Sequence, residues 1–188
     1  MDAETAQAQY FCRRPRGSLK LDAGVLDVFK QFRQVDRYAT EAGGVIIGRH
    51  IVGTDDVVAD IATTPSASDR RTRTKFHRSQ QAHQQILDAV WLRSAGTQVY
   101  LGEWHTHPEP FPSPSSVDMD DWRRRLERDA VEAPFVFFLI VGQLAIHVWE
   151  GSRTAYGVVR LVPQKFTCPD GGLDERARCD PDFSSDTR

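Results

Sequence analysis

The sequence predicts an α/β (α+β) domain, a single mixed β-sheet packed between helices, and three observations carry that expectation. Helical and strand periodicities alternate in the order helix, two strands, helix, strand, helix, then several strands. One run, Phe135 to Val141, is apolar at every position, as a central strand covered on both faces would be. The chain has 188 residues, enough to bury one core without further support, with 40% apolar and 27% charged residues, an ordinary globular balance.

Leu21, Val25, Val28, Phe29 and Phe32 recur at helical spacing and predict an amphipathic helix over 22–35. Gly43 to Gly48 and Val57 to Ala62 are β-branched runs bounded by Gly48, Gly53 and Pro65, which predicts two paired strands. Ile86, Leu87, Val90 and Trp91 mark a second helix over 79–94, with Gly96 placed to end it. A strand is expected over 99–107, a third helix over 116–131, and strands over 135–141, 144–149 and 157–161. Residues 1–18 and 164–188 are polar and without periodicity, so the expected organisation is an N-terminal tail (1–18), a catalytic domain (19–163) and a C-terminal tail (164–188).

A net charge of −2 provides no long-range field favouring nucleic acid or an anionic membrane. The longest apolar run is too short to span a bilayer and Met1 to Gln9 lacks the basic start of a signal peptide, so a cytoplasmic protein is expected. Cys12, Cys168 and Cys179 are odd in number and widely spaced, which indicates neither a disulfide framework nor a cysteine zinc site; pairing of Cys168 with Cys179 is disfavoured in a reducing cytosol.

Chemistry concentrates in Gly102-Glu103-Trp104-His105-Thr106-His107-Pro108 and Ser115-Ser116-Val117-Asp118. Side chains two apart on a strand share a face, so His105 and His107 can converge on one ion, although half-buried strand histidines without a metal fit the spacing equally well. Asp118, at the start of the third helix, is the third donor a loop can return to the strand end. Ser115-x-x-Asp118 also reads as a helix cap, and the two roles are compatible. Two imidazoles and a carboxylate suit Zn²⁺ with a fourth position left for water, whose pKa the metal lowers toward ~7. Hydrolysis needs a base as well, and spacing leaves Glu41 and Glu103 both open for that role. Trp104 alternates away from the ligand face, and both it and Trp122 are expected in the core.

Thr40-Glu41-Ala42-Gly43-Gly44, His105-Thr106-His107-Pro108, Ser115 and Asp118 together resemble the motif of the JAMM (MPN+) metalloisopeptidases, and the resemblance covers residues of about 20 to 162. It implies an MPN/JAB-like fold, one zinc ion held by His105, His107 and Asp118, Glu41 as general acid and base, and Ser115 stabilising the oxyanion. Glu103 and Thr106 would then support the ligands or touch substrate.

Thr64-Pro65, Asp69, Phe76-x-Arg78, Tyr100 to Pro108 and Pro112-x-Pro114-Ser115 resemble, more narrowly, bacterial members encoded beside E1-like and E2-like enzymes. The implied activity is an isopeptidase or peptidase acting after the C-terminus of a ubiquitin-like modifier, or of a nucleotidyltransferase tail, in an antiphage (CBASS-type) or ubiquitination-like operon. An inactive MPN scaffold and a small-molecule metalloamidase are the rival readings. The basic stretch from Asp69 to Arg78 is expected as a loop, either simply solvated or guiding a substrate tail through Arg73, Lys75 and Arg78.

Overall fold

A computed structural model describes residues 7–128, 133–155 and 157–164. In chain order the elements are β1 (Gln9–Cys12), β2 (Ser18–Leu21), α1 (Ala23–Phe32), β3 (Gly43–His50), β4 (Val57–Ala62), β5 (Arg70–Thr72) and β6 (Lys75–His77). They continue as α2 (Gln80–Arg93), β7 (Val99–Thr106), α3 (Ser116–Arg128), β8 (Phe135–Val141), β9 (Ile146–Ser152), β10 (Val158–Arg160) and β11 (Val162–Pro163). Nine strands form one mixed sheet in the order β10-β9-β8-β7-β3-β4-β2-β1-β11, and β5 and β6 form a separate hairpin. The β7–β8 and β2–β4 pairs are parallel and the other pairs antiparallel. This is the mixed sheet between helices that the sequence predicts.

Alternation along β8 explains the layering. Phe137, Leu139 and Val141 enter the larger core with Trp104 and with Val25, Leu26 and Phe29 of α1, whereas Val136, Phe138 and Ile140 meet Trp122 and Leu126 of α3. Trp122 stacks on Phe138 with ring centroids 4.7 Å apart and planes 11° from parallel, an arrangement worth about 0.5–1.5 kcal/mol beyond its buried area. On the face that α3 covers, Val90 of α2 packs on Val45 and Ile47. The second helix ends as its glycine implies: Ala95 (φ 51°) and Gly96 (φ 79°) turn left-handed and return their N–H groups to Leu92 and Trp91.

Several expectations need correction. Residues 9–12, expected within a tail, form β1, because Phe11 is fully buried and β1 supplies the hydrogen-bonding partner for β2 on one side and β11 on the other. Arg13, also placed in the expected tail, is buried; its guanidinium makes a two-point ion pair with Glu150 (2.9 and 3.0 Å) and lies over the Phe135 ring. The first helix stops at Phe32 because Arg33 is extended (ψ 137°), and the chain turns inward at Gln34. Cys12 is disulfide-bonded, which neither the spacing nor the odd number of cysteines indicated. Cys168, Cys179 and the rest of the C-terminal stretch from 165 onward lie outside the described residues, as does the expected end of the third helix at 129–131.

The basic loop is also different: Arg70-Arg71-Thr72 and Lys75-Phe76-His77 pair across a two-residue turn. Glycine lets this hairpin sit on the sheet. A Cβ at Gly43 would come within 2.5 Å of the Phe76 ring and 2.6 Å of the Trp104 carbonyl oxygen.

Removing the Arg13 guanidinium should strand a mostly buried Glu150. Arg13→Ala is expected to cost about 3 kcal/mol in urea-induced unfolding; a cost below about 1 kcal/mol, the size of an exposed pair, would mean that β1 does not hold the sheet edge.

Candidate metal centre

β7 lies between β3 and β8 in the middle of the sheet, so the position of its C-terminal end is fixed on both sides. Thr106 donates its N–H to the Ala42 carbonyl (2.8 Å), and His107, one residue past the strand, donates its N–H to Val141 (3.0 Å). Glu103 and His105 project from one face, as alternation requires, and His107 comes round beside them. The Nε2 atoms of His105 and His107 are 3.0 Å apart.

Asp118 reaches these histidines from the first turn of α3. Its carboxylate accepts from the Ser115 N–H (2.7 Å) and hydroxyl (2.6 Å), and its own N–H donates to the Ser115 Oγ (3.2 Å). This reciprocal cap fixes the turn and leaves the carboxylate facing the imidazoles, with Oδ1 3.3 Å from His105 Nε2 and Oδ2 3.4 Å from His107 Nε2. Among the described residues, His105, His107 and Asp118 form a group whose donor atoms all lie within 4.8 Å of one another. Ligands bonded to zinc at about 2.0–2.1 Å in a tetrahedron are separated by about 3.3 Å, close to the 3.0 Å between the two imidazoles and the 3.3 and 3.4 Å from them to the two Asp118 oxygens. The residues fit the metal in chemistry and in distance.

The electrostatics agree. Burial alone would raise the Asp118 carboxyl, but hydrogen bonds from His105, His107 and Ser115 outweigh it and hold the group well below the usual carboxylate range. Burial likewise opposes charge on His107, and hydrogen bonding and attraction to Asp118 turn the net shift upward. Such a cluster favours a positive charge at its centre.

Glu41 is 6% exposed and sits just before β3. Burial pushes its carboxyl up to about 7, against the pull of His105 and His107 and with the repulsion of Asp118. A carboxylate poised near neutrality is suited to taking up and releasing a proton. Its main chain is gripped by the β5–β6 hairpin: the Glu41 N–H donates to Thr72 (2.7 Å), and Arg71 Nε donates to the Glu41 carbonyl (2.6 Å).

Glu103, the other acid left open by spacing, is placed differently. Its carboxylate is buried between Arg78 from the end of β6 (2.6 Å) and Arg125 from α3 (2.9 Å). Burial opposes charge on Arg125, but Glu103 and Asp121 outweigh it and raise its pKa. With both oxygens engaged by guanidinium donors, Glu103 joins the hairpin, the sheet and α3 at one point.

These elements enclose an open cleft of about 460 Å³, floored by β7, with Glu41, His105, His107 and Asp118 along it and Glu103 toward one end. Lys75, Arg78, Ser115 and Trp122 line it, and Trp104 is 1% exposed beneath it. Of the three basic residues singled out for a substrate tail, Lys75 and Arg78 are on the wall, Arg78 already paired, and Arg73 turns to the Arg37 carbonyl. Thr106 is fully buried and donates its hydroxyl to Gln34 (3.0 Å). Sequence reading missed Gln34, Arg71 and Arg125, because isolated polar residues in a loop, a basic run and a charged helix carry no spacing signal.

The chain matches the family model for prokaryotic homologs of the JAB domain over residues 26–155. It is 37% identical over 133 residues (71% of this chain, 82% of the relative) to a Pseudomonas aeruginosa protein named CD-NTase/cGAS isopeptidase. Proteins of the same name from Vibrio cholerae serotype O1 and Escherichia coli are 41% identical over 112 residues (60% of this chain, 68% of the relative) and 37% identical over 130 residues (69% and 78%). A match over more than half of its length, with relatives at this level of identity, means that the chain belongs to the prokaryotic homologs of the JAB domain.

Proposed function

We propose that this protein is a zinc-dependent isopeptidase that hydrolyses the bond after the C-terminus of a ubiquitin-like modifier or of a CD-NTase/cGAS-type enzyme, in the bacterial cytoplasm and within an antiphage pathway. The observation that carries the reading is the convergence of His105, His107 and Asp118 beside the Glu41 carboxyl in one open cleft. The shared name of three relatives supports the substrate class. E1-like and E2-like enzymes that build the conjugate are the partners this chemistry calls for.

His105, His107 and Asp118 would hold the ion, which when bound supplies Lewis acidity toward a carbonyl oxygen and makes water acidic enough to react near neutral pH. The residues of the chain do the rest. Glu41 takes a proton from the attacking water and delivers it to the departing lysine or main-chain amine, so the amine leaves neutral and the carboxylate returns to its starting state. Ser115 lies on the cleft wall with its hydroxyl proton on Asp118, and turning that proton outward places a donor toward the oxygen that becomes negative. Lys75 on the wall suits an extended peptide tail that carries acidic groups.

The purified protein is expected to carry one zinc per chain by elemental analysis, and Asp118→Ala or His107→Ala should lose it; full zinc in both variants would reject the ligand set. Incubated with a modifier fusion, the parent should cleave after the modifier's last residue, and a chelator should stop it. Glu41→Gln should abolish turnover while retaining zinc, and Ser115→Ala should lower kcat by about 10²–10³ if it serves the oxyanion. Cleavage that survives Glu41→Gln but not Glu103→Gln would reassign the base. Lys75→Glu should raise KM with zinc content and kcat intact, and an unchanged KM would remove Lys75 from tail recognition.

A further inference from the structure

We propose that Gln34 is a positioning residue, whose buried carboxamide sets Glu41 relative to the ligand histidines by holding the strand between those histidines, the Glu41 segment and the hairpin turn at once. The inference rests on the reading of Glu41 as the proton carrier and goes beyond it.

Gln34 is 0% exposed, and its carboxamide uses both N–H donors and accepts one hydrogen bond on its oxygen. Its Oε1 accepts from the Thr106 hydroxyl (3.0 Å), and its Nε2 donates to the Ala39 carbonyl (3.1 Å) and to the Arg73 carbonyl (2.9 Å). Thr106 lies between His105 and His107, and its hydroxyl accepts the Ala42 N–H (2.9 Å). Ala39 and Ala42 bracket Glu41, so Gln34 holds one flank directly and the other through Thr106. Arg73 belongs to the turn of the hairpin whose Thr72 and Arg71 grip the main chain of Glu41. The main-chain carbonyl of Gln34 in turn accepts from Gln143 Nε2 (2.9 Å), in the connection from β8 to β9.

Only an amide meets these demands. Two carbonyls need donors and one hydroxyl needs an acceptor, which a carboxylate, an alcohol or an apolar chain of the same length cannot supply together. Losing the amide leaves the buried Thr106 hydroxyl without its acceptor and frees the Ala39 and Arg73 carbonyls, on segments that flank or grip Glu41. A displacement of about 1 Å at a reacting group can cost about 10²-fold in rate.

The test compares Gln34→Met, of similar length but unable to make these bonds, with the parent and with Glu41→Gln. Gln34→Met is expected to lower kcat about 10²-fold with KM and zinc content unchanged, and to speed amide exchange at residues 39–42 and 71–75 while β8 stays protected. Thr106→Val should reproduce this pattern and Thr106→Ser, which keeps the hydroxyl, should restore it; this pair carries the test if Gln34→Met does not fold. Parental kcat in Gln34→Met, or parental exchange at 39–42, overturns the positioning role while an inactive Glu41→Gln leaves the base in place. A fall in kcat that merely tracks zinc loss overturns it too, since Gln34 would then serve the ligands. An active Glu41→Gln overturns both readings.

Discussion

Three side chains, two imidazoles and a carboxylate, meet with contacts of 3.0–3.4 Å at the junction of two elements of the fold. Two come from the end of β7 and the third from the first turn of α3, and the connection between them is secured by the cap that Ser115 and Asp118 make for each other. Everything else in the fold serves that meeting. A strand paired on both sides cannot drift, and a helix packed through Trp122 and Leu126 onto Phe138 cannot roll away from it.

The proton-handling side of the cleft is built on a different principle. Glu41 precedes β3, and its main chain is held by a hairpin that meets the sheet at the Gly43 surface, through Arg78 and through the contacts of Gln34. His105, His107 and Asp118 thus belong to the sheet and α3, while the Glu41 carboxylate lies on a segment gripped by the hydrogen bonds of the hairpin. Glu103 completes the frame, since Arg78 from the hairpin and Arg125 from α3 meet on its two oxygens and tie both walls of the cleft to its floor.

Much of this was legible in the residues. Continuous apolarity marked β8 with its observed boundaries, helical periodicity found the three helices of the described residues, and alternation brought His105 and His107 together and put Trp104 in the core. What escaped has a common physical reason. Strands β1, β5 and β6 are three or four residues long, too short for alternation to register: β1 buries the single apolar side chain Phe11, and β5 and β6 rest on their pairing and on contacts of Arg71 and Arg78. Gln34 was invisible because its role exists only where four distant segments meet. Spacing left Glu41 and Glu103 both open and the resemblance pointed to Glu41; what the sequence did not carry is that two arginines surround Glu103.

X-ray absorption at the zinc edge of the purified protein addresses the central claim most directly. The account expects a first shell of imidazole nitrogen and carboxylate oxygen at about 2.0–2.2 Å with no sulfur, and its collapse when Asp118 is replaced by alanine. A shell containing sulfur at about 2.3 Å, or one that is indifferent to Asp118, would contradict it.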